Sequence, residues 1–126
     1  MSAGTSPRSS TSSVRVLVQD YATTVTRNAS TTPNVVRSAF VTNRNAVVRY
    51  FQLHDVINVP IVGAEAALSL AIPANTLFLL IDEDFFGPQG FRPGAAGIAY
   101  AWSTNATVYI AGAAAADHDT VILGGR

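Results

Sequence analysis

The chain of 126 residues is long enough for one domain with a buried core, and its charged share of 13% is well below the roughly 25% of a typical soluble domain. Eight Arg and eight acidic residues give a net charge of zero, which argues against a nucleic-acid partner held by bulk electrostatics. The absence of cysteine excludes disulfides, thiol nucleophiles and cysteine-based metal sites.

The first predicted element is an arm. Residues 1–13, "MSAGTSPRSSTSS", are almost all small or polar and offer too little apolar surface to order themselves, so they are predicted to form a flexible N-terminal arm. This segment lacks the apolar core of a signal peptide, which predicts a protein made in the cytosol. Proline and polar residues interrupt every apolar stretch before the roughly 18 residues that a membrane span needs, so no membrane partner is expected.

Residues 14–126 are predicted to form a β-sandwich domain. Short segments rich in Val, Ile, Thr, Tyr and Phe alternate with turn residues, as is typical of all-β proteins. Candidate strands lie near 14–19, 21–27, 34–42, 46–54, 66–72, 76–81, 97–103, 106–111 and 119–123. Residues 63–71 and 111–117 have helical propensity but are too short for a stable isolated helix. The fold class predicted is an antiparallel β-sandwich or jelly-roll-like fold with about eight short strands and an extended N-terminal arm.

Alternation predicts which faces of these strands are buried. The predicted core face carries Val47, Phe51, Leu53, Ile98, Tyr100 and Trp102. The opposite face of 46–54, with Tyr50, Gln52 and His54, is predicted to be partly exposed to solvent or to form an interface with another subunit. The segment "TLFLLI" at 76–81 is apolar on both faces. It is therefore either a central strand covered on both sides or a strand covered by a neighbouring subunit.

No constellation of polar residues predicts catalysis. His54 and Asp55 are adjacent on a strand, so their side chains should point apart, one to hydrogen-bond and the other to form a turn. The acidic turns at 82–84 and 116–120 lack the spacing of an EF-hand, and the prolines in 87–94 remove donors that a phosphate loop would use. The sequence predicts no enzyme and no catalytic, cofactor-binding or metal site.

The basic residues and the loop near 85–92 predict protein contacts. All basic residues are Arg, whose planar fork suits interfaces. Residues 1–50 have a net charge of +5 and residues 51–126 a net charge of −5, so copies could dock positive to negative, although a sandwich could equally interleave the two halves. The phenylalanines of this loop either form an exposed contact surface at its tip or fill the hydrophobic core. The candidate interface residues are Arg8, Arg15, Tyr50, Gln52, Phe85, Phe86, Phe91 and Arg92.

Four short motifs carry a family resemblance. They are Val48 to Tyr50 with Leu53 and Asp55, Ile72 to Asn75, Gly97 to Ala99, and Ser103 to Thr107. In this order, over residues 34–110, the chain resembles a family of small β-sandwich virion proteins of tailed bacteriophages, which are similar to capsid decoration (cement) proteins.

The resemblance implies a structural protein of the virion. Its expected partners are the major capsid protein and itself, as a homotrimer, and its expected role is to clamp neighbouring capsid subunits on the outer shell. The alternative is a tail, neck or host-binding fibre module, for which Tyr100, Trp102 or the 85–92 loop could line a carbohydrate groove. A cytosolic binding module without a virion role is a further possibility.

Overall fold

The computed structural model describes residues 14–30 and 35–125, which form eight strands with little helix. The strands are β1 (Arg15–Tyr21), β2 (Thr26–Ser30), β3 (Val35–Asn43), β4 (Arg49–His54), β5 (Leu68–Ile72), β6 (Thr76–Ile81), β7 (Ile98–Ser103) and β8 (His118–Gly125). One helical turn, α1 (Glu83–Phe86), follows β6, and a 3-10 turn (Ala115–Asp117) precedes β8. The predicted arm, with Arg8, lies outside the described residues.

The strands form two antiparallel sheets of four. Sheet one has the order β1-β8-β3-β6 and sheet two the order β2-β7-β4-β5. Apart from the β4–β5 pair, each strand is followed in sequence by a strand of the other sheet. This is the connectivity of an eight-stranded jelly roll, so the predicted all-β sandwich is confirmed.

The core lies between the two sheets and follows the predicted alternation. Phe51 and Trp102 pack with ring centroids 5.4 Å apart, and both are at most 1% exposed. The Trp102 indole donates a hydrogen bond from sheet two to the Thr120 hydroxyl of sheet one at 2.8 Å. Val47, predicted in the core, is 49% exposed. It lies in the turn before β4, where its N–H is bound by the Asn45 side chain at 3.0 Å, and a turn residue does not follow the period of a strand.

The predicted strand at 106–111 is wrong. This segment forms an isolated bridge between Glu65 and Val108, with backbone hydrogen bonds to residues 63–66, and does not continue as a strand. The side-chain oxygen of Asn105 accepts the N–H groups of Thr107 at 2.9 Å and Val108 at 3.1 Å, so these donors close a local turn instead of entering a ladder. Helix α1 was not predicted. Asp82 begins it by accepting the N–H of Asp84 at 3.1 Å, as an N-cap residue does.

Candidate functional site

His54 and Asp55 bind different partners. His54 Nε2 lies 3.0 Å from Gln52 Oε1, and the ring is 1% exposed, so burial lowers the pKa of His54. Asp55 Oδ1 accepts the backbone N–H of Ala96 at 2.8 Å and stabilises the loop before β7. As the alternation predicted, the two side chains point apart. They therefore form no acid–base pair.

Gln52 is an internal residue, which corrects its prediction as a contact residue. Its side chain is fully buried, and Nε2 donates to the carbonyl oxygens of Asn105 at 2.9 Å and Val108 at 3.1 Å. These bonds fasten the 104–110 segment to β4. Tyr50, on the same strand, is half-buried. The outer face of β4 is therefore largely covered by the chain's own loop.

The acidic turn before β8 is used for internal pairing. Asp119 is 2% exposed and its Oδ2 lies 2.5 Å from Arg44 Nη2, while Asp117 Oδ2 accepts from Asn45 Nδ2 at 2.9 Å. Both carboxylates thus hold the 44–48 turn against β8. Within residues 14–30 and 35–125, no three acidic or His side chains are grouped so that they could hold a metal ion.

His118 is a buried polar residue in an aromatic environment. Its ring stacks on Trp102 at 4.3 Å and 12°, and neither ring nitrogen makes a hydrogen bond to the described residues. Burial lowers the pKa of His118, although the nearby Thr42 backbone and Asp117 favour the charged ring. The imidazole therefore behaves as an aromatic core residue.

Tyr100 and Trp102 lie inside the sandwich, so the predicted carbohydrate groove at these rings is wrong. Both are fully buried. Tyr100 Oη donates to Asp20 Oδ2 at 2.7 Å, and Arg27 Nη1 lies 2.5 Å from Asp20 Oδ1. Burial, and then the hydrogen bond to Asp20, raise the pKa of Tyr100. This network joins β1 of sheet one to β2 and β7 of sheet two.

The aromatic loop divides into a buried and an exposed part. Phe86 is 7% exposed and belongs to the core, and Phe91 packs against it, so both rings mainly fill the core. This corrects the prediction that Phe86 is a contact residue, because α1 turns its ring inward. Phe85 is 46% exposed and Arg92 is exposed, so both are accessible to a partner. Arg15, on β1, is exposed as well.

The edge strand β6 presents the main apolar surface. Leu77, Phe78, Leu79 and Leu80 are 64%, 57%, 37% and 48% exposed. Because β6 is the edge of sheet one, the prediction of a central strand is wrong and the alternative, cover by a neighbouring subunit, stays a prediction. A concavity of about 370 Å³ between Leu70, β6 and Phe85 extends this surface. An exposed apolar edge strand is a template for pairing with another chain.

Phe78 occupies an unusual backbone conformation within this strand. Its φ is 48°, in the left-handed region that non-glycine residues rarely adopt. The register with β3 shifts here, and the N–H of Phe78 donates to the buried Thr42 hydroxyl at 2.9 Å. Such strain often marks a contact site, and here it accompanies an exposed aromatic ring.

A second apolar surface was not predicted from the sequence. It lies in the loop after β4, where Ile57, Val59 and Ile61 are 49%, 49% and 75% exposed. A concavity of about 460 Å³ is lined by this loop with Ala64 and Ala96. The run "VINVPIVG" was the available signal, because its apolar residues have no strand period and end in a turn. The two concavities share no lining residue.

Comparison with protein-family models, curated proteins and solved structures finds no match to this chain. Among the described residues, no helix is both long and apolar enough to span a bilayer. The candidate functional site is therefore defined by geometry. It consists of the β6 edge with Phe85, and the separate apolar loop at 56–62.

Proposed function

We propose that this chain is a structural virion protein, a capsid decoration (cement) protein that binds the outer capsid surface and clamps neighbouring subunits. The observation that supports it is the pair of separate exposed apolar surfaces, on β6 and on the 56–62 loop, of a thinly charged jelly roll. A lattice component needs at least two contact surfaces, one for each neighbour. Its partners in this proposal are the major capsid protein and further copies of itself in a homotrimer, and its location is the virion, after synthesis in the host cytoplasm.

The polar residues of the chain support a binding role. The buried carboxylates of Asp20 and Asp119 are paired with Arg27 and Arg44, and His54 is bound to a glutamine. These groups stabilise turns and the contact between sheets. Two exposed apolar surfaces remain accessible for recognition, and many weak apolar contacts repeated by symmetry give avidity far beyond a single interface.

The two surfaces suit different kinds of contact. The β6 edge is a strand with unpaired backbone groups and suits sheet extension by another copy. The 56–62 loop has no strand edge and suits insertion of its side chains into a hollow on the capsid. We therefore assign capsid binding to the loop and self-association to the strand.

The first test is the copy number of this chain relative to the major capsid protein in purified particles, by quantitative mass spectrometry. Decoration requires a ratio near one or a simple fraction fixed by the lattice. A handful of copies per particle would favour the alternative location in the tail, neck or a host-binding fibre. Absence from particles would overturn the virion proposal.

The second test separates the two surfaces. Ile61 is 75% exposed, so Ile61→Lys should leave the fold intact and reduce binding to undecorated capsids at least about tenfold, since it places a charge in an apolar contact. Ala116→Lys, which adds the same charge at an exposed position outside both surfaces, is the control. Unchanged capsid binding by Ile61→Lys would refute the assignment of the loop.

A further inference from the structure

The two outer strands of sheet one are β1 and β6, and among the described residues neither has a partner strand on its outer side. Both carry exposed apolar side chains, with Val16 and Tyr21 of β1 51% and 48% exposed. We infer that β1 of one copy pairs antiparallel with β6 of the next, so that sheet one continues from subunit to subunit around a closed ring. This inference names the surfaces of self-association and holds whether or not the ring binds a capsid.

The direction of the strands fits this pairing. Sheet one contains three antiparallel steps, from β1 to β8, from β8 to β3 and from β3 to β6, so β1 and β6 run in opposite directions. A neighbour in the same orientation therefore presents β1 antiparallel to β6. Its core-facing side also stays on the same side of the extended sheet, so no subunit has to turn over.

The register places Arg15 at the level of the segment that follows β6. Along the ladders, Arg15 is level with Val36 of β3, and Ala39 of β3 is level with Ile81. Arg15 therefore stands beyond the end of β6, at the level where the backbone of Val36 pairs with that of Phe91. A rotation axis parallel to the strands keeps these levels, so Arg15 of the neighbour would face the 82–92 segment that joins β6 to this pair.

The charges of this segment are available for such a contact. Glu83 and Asp84 are exposed and form no salt bridge within residues 14–30 and 35–125. Arg15 is the exposed charged residue of β1, and residues 82–92 have a net charge of −2. Complementary charge of this kind favours encounter of unlike edges and fixes the register.

Apolar residues meet at the other end of the pairing. Tyr21 is level with Thr42 of β3, which binds the backbone of Phe78 through its hydroxyl. The exposed ring of Tyr21 would thus cover the exposed ring of Phe78, and cross-strand aromatic pairs stabilise sheets. Pairing β6 with a second β6 would instead leave the apolar residues of β1 uncovered.

The interface joins two different surfaces, so it is heterologous and generates a ring when the rotation closes. The homotrimer of the proposed function is the smallest such ring. Each subunit then uses both edges of sheet one, and no apolar edge of that sheet is left for open-ended pairing.

The test uses one substitution on each edge of the full-length chain. Leu80→Lys disables β6, Val16→Lys disables β1, and Ile61→Lys is the matched control on the loop. Sedimentation equilibrium should show a ring of three or more copies for the unaltered chain and the control. Each edge variant should be monomeric, with association weakened at least about tenfold.

Mixing the two edge variants gives the decisive result. Leu80→Lys retains an intact β1 and Val16→Lys an intact β6, so the mixture should form a heterodimer with one copy of each. Its formation would also show that both variants are folded. Absence of the heterodimer, a monomeric unaltered chain, or a Val16→Lys variant that still self-associates would each overturn the inference. A monomer that becomes a ring only when residues 1–13 are deleted would assign the edge to the arm and overturn it too.

Discussion

Replacing Tyr100 with Phe removes one hydroxyl from the contact that joins the two sheets. That hydroxyl donates to Asp20 at 2.7 Å, and Tyr100 is fully buried, so water cannot take its place. A hydrogen bond to a charged group contributes about 1.5–3 kcal/mol. Because Asp20 keeps Arg27 at 2.5 Å, we expect a loss near the lower half of that range, about 2 kcal/mol, or roughly 6–10 °C in Tm.

The same contact predicts a dependence on alkaline pH. Burial, and then the hydrogen bond to Asp20, raise the pKa of Tyr100 above its ordinary value of 10.0. A raised pKa stabilises the folded chain below pH 10, and this contribution is lost as the pH rises above 10 because the unfolded chain releases the proton first. The difference between the unaltered chain and Tyr100→Phe should therefore shrink above pH 10.

Urea unfolding at pH 7 and pH 11, followed by the fluorescence of the single tryptophan, measures both effects. Tyr109→Phe is the matched control, since Tyr109 is also buried, at 8% exposed, and lies outside the contact between Tyr100 and Asp20. A loss below about 0.5 kcal/mol for Tyr100→Phe, or an equal loss for the control, would refute a stabilising role for the contact.

Three further substitutions examine the core and the sheet. His118→Phe should keep the stack on Trp102 and leave stability at pH 7 unchanged or higher, since neither imidazole nitrogen is bound to the described residues. Burial lowers the pKa of both histidines, so below pH 6.5, where only the unfolded chain takes up the proton, the unaltered chain should lose up to about 1.4 kcal/mol per pH unit more than the variant. Urea titrations at pH 7 and pH 5 check this, and an equal loss in the variant would count against it. Trp102→Phe should cost about 2–4 kcal/mol in thermal unfolding, because it removes core volume and the hydrogen bond to Thr120; a loss below about 1 kcal/mol would contradict this role. Gly124→Ala should cost about 1–3 kcal/mol by the same measurement, since a Cβ there would overlap the Val35 carbonyl, and a neutral result would show that β3 and β8 can separate.

The local pattern of the sequence predicted most of the strands and their buried faces. Phe51, Leu53, Tyr100 and Trp102 lie in the core as their alternation indicated, because side chains point to opposite faces whatever the partner strand. The predicted burial of Val47 was wrong because a turn, stabilised by side-chain hydrogen bonds, interrupts the two-residue period before β4. The predicted strand at 106–111 was wrong for the same reason.

The exposure of individual candidates depended on the neighbours that the fold provides. Gln52 and Phe86 are both buried, although one was predicted on an outer face and the other in a loop. A loop distant in sequence covers the first, and a short helix turns the second inward. The first event leaves no local signal, since it depends on a contact between segments that are far apart in the chain. The second has a local signal in the N-cap residue Asp82, but the direction of the Phe86 ring depends on where the sheets lie.

The sequence by itself determined the all-β class, the two-residue period of the core strands, the sparse charge and its opposite sign in the two halves, because these are properties of composition and local geometry. Only the tertiary structure decided that the apolar segment 76–81 is an edge, that β1 is the opposite edge, and that Arg15 stands level with Val36, beyond the end of β6. Strand order and register come from long-range backbone pairing, in which any strand of suitable pattern can hydrogen-bond to several others. The packing of all eight strands around one core selects a single arrangement, and that selection places the uncovered apolar surface.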